Sequence, residues 1–247
     1  MDERAAPRHG LARTLSKRGV CSRTEAARWI AAGRVTVDDR VVMDPEFPVT
    51  AGRHVIGIDG AALEESQRVY LALNKPRGLL TTTSDERSRD TVYRCFNTAG
   101  LPWIAPVGRL DKASEGLLLF SNDPAWAAAV TNPAAGPHKT YHVQVDCIPG
   151  AQMLAALTQG AEHNGEPLLT RSVALLRSGA RNAWLEIVLD EGRNRHIRRL
   201  LEAHGIGVLR LIRVAIGPLA LGDLKKGEWR MLTAAEAQSV AGSALQR

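Results

Sequence analysis

The sequence predicts an α+β fold in which a mixed, mostly antiparallel sheet is combined with several helices. The first observation is that strand-like and helical segments alternate without the regular spacing of βαβ units. The second is that no glycine-rich phosphate-binding loop follows any of the strands. The predicted strands are 69–73, 104–107, 117–121, 140–146, 184–189 and 208–216, and the predicted helices lie near 123–131, 151–159 and 194–204.

The chain has 247 residues, enough for a small domain beside a larger one. Residues 61–67 lack periodicity and precede the first buried strand, so we predict domains at 1–64 and 65–247. No apolar run approaches the ~18–20 residues of a bilayer span, and the segment MDERAAPRHG lacks the apolar core of a signal peptide. These features predict a cytoplasmic protein that does not contact membranes.

The three cysteines do not suggest a disulfide framework or a metal site. Cys21, Cys95 and Cys147 are widely separated and lack CxxC spacing. The histidines are dispersed as well, and no carboxylate and histidine cluster is apparent. We therefore expect no metal and no cofactor.

Positive charge is concentrated in two stretches of the chain. Residues 1–34 carry a net charge of +5 and residues 191–213 carry +4, whereas the whole chain carries +6. The remainder is therefore net negative. Such a distribution favours contact with a polyanion at two places.

Residues 11–64 have the pattern of a compact helical and hairpin unit. A helix is predicted over 11–18, and a second begins with Ser22 as N-cap, because Glu25 follows at capping-box spacing. Residues 35–42 then alternate as a short hairpin around Asp38-Asp39. This unit resembles the S4-type RNA-binding domain. The resemblance implies RNA phosphate contacts for Arg13, Lys17, Arg18, Ser22, Arg23 and Arg28, although each alone is also explained as a solvated basic face.

Three segments of the larger domain hold candidate catalytic residues. Asp111 lies in a polar turn between two apolar strands, where an Asp is most often a structural cap. Tyr141 lies on a strand and is explained by core packing, unless its ring reaches an open end of the sheet and stacks on a base. Arg198 lies on an amphipathic helix that Asn194 is predicted to cap and Gly205 to close.

The faces of that helix indicate where Arg198 points. At 100° per residue, Ile197, Leu200, Leu201 and His204 form the buried stripe, and Arg198 falls at its edge. A half-buried guanidinium needs an anionic partner. We predict that the partner is Asp111, and such a pair would keep the carboxylate ionised.

The ordered motifs make a family resemblance specific. They are KPRG at 75–78, GRLD at 108–111 with GLL at 116–118, KTY at 139–141, EGRNR at 191–195 with IRR at 197–199, RLIR at 210–213 and GEWR at 227–230. Together they resemble the RsuA/RluB/RluE/RluF family of bacterial ribosomal RNA pseudouridine synthases. These enzymes break the N1–C1′ bond of a uridine, rotate the base and join C5 to C1′, an isomerisation that needs no cofactor.

The resemblance implies roles for individual residues of this chain. Asp111 is the catalytic aspartate, Tyr141 stacks on the base, and Arg198 is the ion-pair partner. Arg109 enters the RNA, and Lys75 and Leu200 belong to the substrate-binding set. One departure is His196, where the family usually has Gln. The partner implied is ribosomal RNA or a ribosomal subunit assembly intermediate, bound by a monomer.

Two other classes of function remain as alternatives. A non-enzymatic RNA-binding protein would have lost Asp111, Tyr141 or Arg198, and all three are present. A metal-dependent nuclease or an RNA methyltransferase would need clustered ligands or a glycine-rich cofactor loop. An unchanged rate after addition of a chelator or omission of S-adenosylmethionine would exclude that second class.

Overall fold

The structure is a computed structural model that describes residues 8–50, 53–64, 66–82, 90–97 and 99–242. The chain divides into two compact units. The first consists of residues up to Val69 together with 100–105 and 121–124, and the second contains the rest. Glu65, in the predicted linker, lies outside the described residues. The division at 64/65 stays a prediction.

The first unit joins two helices to short strands. Its elements are β1 (Arg8–Gly10), α1 (Leu11–Lys17), α2 (Arg23–Ala31), β2 (Val35–Val37), β3 (Arg40–Val41), β4 (Pro48–Thr50), β5 (Ile56–Ile58) and β6 (Ala61–Ala62). Strand β1 pairs with β4, and the other four form a sheet in the order β3-β2-β5-β6.

Local sequence explains these boundaries. The Ser22 hydroxyl accepts a hydrogen bond from the Glu25 amide at 3.1 Å and thereby caps α2. Asp38 and Asp39 have φ of 50° and 62°, the left-handed pair that a two-residue hairpin turn of type I′ requires. Leu11, Leu15 and Ile30 meet in the core of the unit and are fully buried.

The second unit contains a large sheet with helices. Its elements are β7 (Tyr70–Lys75), a 3-10 helix (Val92–Phe96), β8 (Ala105–Val107), β9 (Glu115–Ser121), α3 (Pro124–Thr131), β10 (Lys139–Val145), α4 (Ala151–Gln159), β11 (Ala161–His163), β12 (Glu166–Leu168), β13 (Ser172–Ser178), β14 (Ala183–Leu189), α5 (His196–Ala203), β15 (Val208–Ile216), β16 (Leu219–Ala220), β17 (Trp229–Met231) and α6 (Ala234–Ala241).

The described strands of the large sheet run in the order β13-β14-β10-β15-β9-β7-β17, with β16 added to β15 and β8 added to β9. Strands β13, β14, β10 and β15 pair antiparallel in succession, as do β17 with β7 and β16 with β15. The pairing of β15 with β9 is parallel. The predicted α+β class with a mixed, mostly antiparallel sheet is therefore confirmed.

Helices pack against several parts of this sheet and its hairpins. Leu117 and Leu119 of β9 pack with Trp126 of α3 and Val240 of α6 in one apolar core. Helix α4 contacts β13, and α5 contacts the β11–β12 hairpin. No helix in the described residues is long and apolar enough to cross a bilayer.

Several elements differ from the sequence expectation. Strand β13 and helix α6 were not predicted, although Thr233 and Glu236 form a complete capping box at the start of α6. Asn194 does not cap α5. Instead Arg195, in a left-handed conformation with φ of 51°, is the N-cap and makes no side-chain capping bond. The predicted C-terminal closure is correct, since Gly205 has φ of 69°.

Candidate active site

Asp111 lies in a turn that connects β8 to β9, and the preceding chain segment fixes this turn by hydrogen bonds. The Gly78 amide donates to Lys112 O at 2.8 Å, and the Thr81 hydroxyl donates to Leu110 O at 2.7 Å. Within the turn, the Ser114 amide donates to Asp111 O at 2.9 Å. The backbone around Asp111 is therefore held in one conformation while its carboxylate stays partly exposed.

Lys75 supplies the main support of this turn from inside the protein. Its ammonium donates to Asp111 O at 3.2 Å, Ser114 O at 2.9 Å and Pro76 O at 3.1 Å. The side chain is 0% exposed, and burial lowers its pKa to about 8. The amine is enclosed and bonded to carbonyls and does not line the cavity described below, so the substrate-binding role of Lys75 stays a prediction.

The turn forms one wall of a cavity of about 310 Å³, a size that accommodates a small ligand. Tyr141 and Arg109 also line the cavity. Tyr141 is 8% exposed, so its ring belongs to the wall, whereas Arg109 is exposed at the rim. The structure thus brings three of the predicted site residues to one cavity.

Arg198 lines the same cavity but does not form the predicted ion pair. Its Nη2 donates to Ala113 O at 3.3 Å, one position from the end of the turn that carries Asp111. Burial and the Arg195 charge lower the pKa of Arg198, and the Asp111 charge opposes that shift. Asp111 therefore acts on Arg198 through space, while the direct contact of the guanidinium is with the turn backbone.

Leu200 is not part of the cavity wall. The residue is 0% exposed on the buried face of α5, and the aliphatic residues of the wall are Leu110, Leu189, Ile197 and Leu211 instead. The reason is the pitch of the helix. Ile197 lies in the first turn of α5 and lines the cavity, whereas Leu200 lies nearly one turn further along the helix and faces the core.

The predicted site residues did not include four basic residues of the wall, which are Lys139, Arg193, Arg195 and Arg213. Lys139 shares a face of β10 with Tyr141, and Arg213 lies directly opposite Tyr141 on β15. Alternation along each strand gives the face of each residue. The pairing of β10 with β15, nearly seventy positions apart, has no local signal in the sequence.

His196, the departure from the family pattern, forms a buried part of the wall. It is 3% exposed, and burial is the main reason that its pKa is lowered. The Leu169 carbonyl near the ring opposes this shift without making a hydrogen bond of normal geometry. A neutral imidazole at this position adds no charge to the cavity.

The loop before α5 is held by a carboxylate from the β11–β12 hairpin. Glu166 accepts from Arg193 Nη1 at 3.0 Å and also pairs with Arg199. Arg193, which lines the cavity, pairs in addition with Glu191 at 2.7 Å. These contacts fix the conformation of the EGRNR segment at the cavity mouth.

The predicted RNA-contacting residues of the first unit lie on α1, on α2 and in the connection between them. Arg13, Lys17, Arg23 and Arg28 are exposed, and Arg18 and Ser22 are partly exposed. Arg23 is 3.6 Å from Glu46 in an ion pair between two exposed side chains, which is readily broken. The six residues are thus accessible to a polyanion.

The described residues place Asp111 on a turn fixed by hydrogen bonds, beside a cavity whose wall carries several basic side chains. No group of three or more potential metal ligands occurs in the described parts of the chain. Residues 69–203 match the RNA pseudouridylate synthase family, and residues 10–55 match the S4 domain. The chain belongs to the RNA pseudouridylate synthase family.

Relatives support this assignment over nearly the whole chain. A protein of Rickettsia prowazekii named as an uncharacterized RNA pseudouridine synthase is 36% identical over 224 residues, covering 90% of this chain and 94% of the relative. A Mycobacterium tuberculosis protein with the same description is 36% identical over 229 residues, covering 92% and 90%. A crystal structure of a pseudouridylate synthase is 26% identical, with a TM-score of 0.65 over 94% of this chain and 99% of that one.

Proposed function

We propose that this RNA pseudouridine synthase isomerises a specific uridine of ribosomal RNA, with Asp111 as the catalytic carboxylate. The observation that carries the proposal is that Asp111 lies on a turn fixed by Lys75, Gly78 and Thr81 beside a cavity lined by Tyr141. A fixed turn holds a reacting group in position and removes the need to order it during the reaction.

The target uridine must leave its stack to reach Asp111. Unstacking a nucleotide costs a few kcal/mol. Stacking of the base on Tyr141 and insertion of Arg109 at the rim offset this cost, because both groups are already at the cavity. The exposed basic residues of the first unit bind RNA phosphates elsewhere on the substrate.

Arg198 acts as a positioning residue in this proposal. Its bond to Ala113 O holds the end of the turn that carries Asp111. Arg198→Ala is expected to lower kcat while RNA affinity changes little. Arg198→Lys, which retains a positive charge and the ability to donate a hydrogen bond, should restore part of kcat. Normal turnover by Arg198→Ala would refute this role.

The catalytic role of Asp111 is tested by tritium release from C5-labelled uridines in ribosomal RNA transcripts. Asp111→Asn is expected to retain RNA affinity and to lose turnover by more than about 10²-fold. The matched control is Asp223→Asn, which changes an exposed aspartate outside the cavity and should be active. Tritium release by Asp111→Asn at the wild-type rate would remove Asp111 from the reaction.

The ribosomal RNA assignment is tested separately in cells. Pseudouridines are mapped in both ribosomal RNAs from cells that lack the protein, with rescue by the wild type and by Asp111→Asn. We expect the loss of one pseudouridine or a few, restored by the wild type alone. A loss confined to transfer RNA would overturn the ribosomal substrate and leave the activity standing. We expect the protein to act as a monomer on ribosomal RNA or on a ribosomal subunit assembly intermediate.

A further inference from the structure

The cavity beside Asp111 carries far more positive charge than the uracil base requires. Uracil is neutral, so its recognition does not call for an excess of cations. Arg193 pairs with both Glu166 and Glu191, and within the described residues no other cation of the wall pairs with two acids. Among the described lining residues Asp111 is the carboxylate, and the cations are Arg109, Lys139, Arg193, Arg195, Arg198 and Arg213.

Arg213 is the most deeply buried of these cations. It is 5% exposed, and its Nε donates to Leu117 O at 2.7 Å, which fixes the guanidinium in place. Its Nη2 is buried and has no hydrogen-bond partner in the described part of the protein. An unpaired buried donor is costly, and a charged one more so. Arg213 also lines the cavity, so an anion in the cavity beside its guanidinium would offset the cost of burying this charge.

Lys139 adds a second positive charge on the same wall. Burial and the neighbouring Arg213 charge lower the pKa of Lys139, whereas Asp190 raises it. Asp190 itself is paired with Arg171 at 2.9 Å on the surface. Two neighbouring cations, both partly desolvated, repel each other, and an anion bound between them removes this repulsion.

Sheet geometry places these two residues beside the base-stacking tyrosine. Tyr141 is directly opposite Arg213 in the β10–β15 ladder, and Lys139 is two positions before Tyr141 on the same face. Directly opposed residues have Cβ atoms only about 5 Å apart. A nucleotide whose base lies on Tyr141 therefore brings its own backbone close to Arg213 and Lys139.

We propose that Arg213 and Lys139 form a subsite for a phosphate group of the target nucleotide. The anion lies beside the Arg213 guanidinium and offsets its charge together with that of the Lys139 ammonium. This subsite rests on the proposed position of the uridine over Tyr141 and Asp111. It makes a nucleotide in RNA a much better ligand than free uridine, since the nucleoside lacks the anion.

The test compares binding of uridine, uridine 5′-monophosphate and uridine 3′-monophosphate to the full chain by NMR titration. We expect at least one monophosphate to bind about tenfold or more tightly than uridine, the factor for one charge-assisted hydrogen bond. The monophosphate with the larger gain identifies which flanking phosphate occupies the subsite. Equal affinity for uridine and both monophosphates would overturn the proposal.

Substitutions test whether Lys139 and Arg213 cause the tighter binding of the monophosphate. Lys139→Gln and Arg213→Gln should each weaken the monophosphate about tenfold and leave uridine binding unchanged. Lys139 is partly exposed, so its variant does not depend on tolerance of the buried core. Arg177→Gln, at an exposed arginine of β13 outside the cavity, is the matched control. Equal weakening of nucleoside and monophosphate by Lys139→Gln would refute the subsite.

This result is independent of the catalytic role of Asp111. Asp111→Asn is titrated in parallel and should retain the preference for the monophosphate, because Asp111 is not part of the subsite. A selective loss in Lys139→Gln together with an active Asp111→Asn would support the subsite and reject the catalytic assignment. The two proposals therefore fail in different ways.

Discussion

The Lys75 ammonium is expected to support both the stability of the protein and the geometry of the catalytic turn. Lys75→Met keeps the length of the side chain and removes three donors, so the carbonyls of Pro76, Asp111 and Ser114 lose their bonds. Each buried acceptor left unsatisfied costs ~1–3 kcal/mol. Removal of the buried charge offsets part of that loss. We expect a net loss of about 2–4 kcal/mol in the free energy of unfolding.

The matched control is Lys112→Met, at an exposed lysine of the same turn, where we expect a change within about 0.5 kcal/mol. Urea unfolding measures stability, and tritium release from C5-labelled uridine measures turnover. Because Lys75 is enclosed, its variant should lower kcat and leave RNA affinity nearly unchanged. Wild-type stability and kcat in Lys75→Met would refute the support that we assign to the ammonium.

The same variant gives a characteristic pH dependence. Burial lowers the pKa of Lys75 from 10.5 to about 8. The folded chain therefore binds fewer protons than the unfolded chain between those two values, so its stability rises with pH across that window. The wild type should therefore gain unfolding free energy relative to Lys75→Met as the pH rises from about 8. A difference that is flat over this range would contradict the burial of a charged amine.

Two further predictions concern the backbone and the C-terminal helix. Gly116→Ala should lower Tm by many degrees, because Gly116 has φ of 101° and an added Cβ would lie 2.2 Å from Arg213 O. The control is Gly78→Ala. Gly78 has φ of 100° but no atom within 4 Å of an added Cβ, so this variant reports backbone strain alone. Arg230 and the cap at Thr233 lower the pKa of Glu236 from 4.5 to about 2, so Glu236 stabilises the fold above about pH 4.5 and this contribution is lost as the pH falls towards 2. Urea unfolding of wild type and Glu236→Gln at several pH values measures it, and parallel pH profiles of the two proteins would contradict it.

The local sequence correctly predicted a helix cap, a hairpin turn and a helix end. The cap at Ser22, the turn at Asp38-Asp39 and the end of α5 at Gly205 all follow from side-chain and backbone preferences within a few residues. Strand β13 was missed because most of its residues are exposed, so it lacks the buried alternation that identifies a strand.

The motifs also determined which residues approach the cavity. Asp111, Tyr141 and Arg109 were named from the sequence, and the structure brings all three to its wall. Their contacts were less predictable. Arg198 was expected to pair with Asp111, and it binds the Ala113 carbonyl instead, because the backbone of the turn offers an acceptor at that distance.

What the sequence alone determined is the six predicted strands and three predicted helices of the larger domain, the family and the residues that carry its motifs, since each of these depends on short patterns along the chain. The tertiary structure decided that Lys75 is enclosed under the turn and that Arg213 lies across from Tyr141. Both facts depend on which strands become neighbours in the sheet. That pairing results from burial of apolar faces throughout the unit, and no short stretch of residues encodes it.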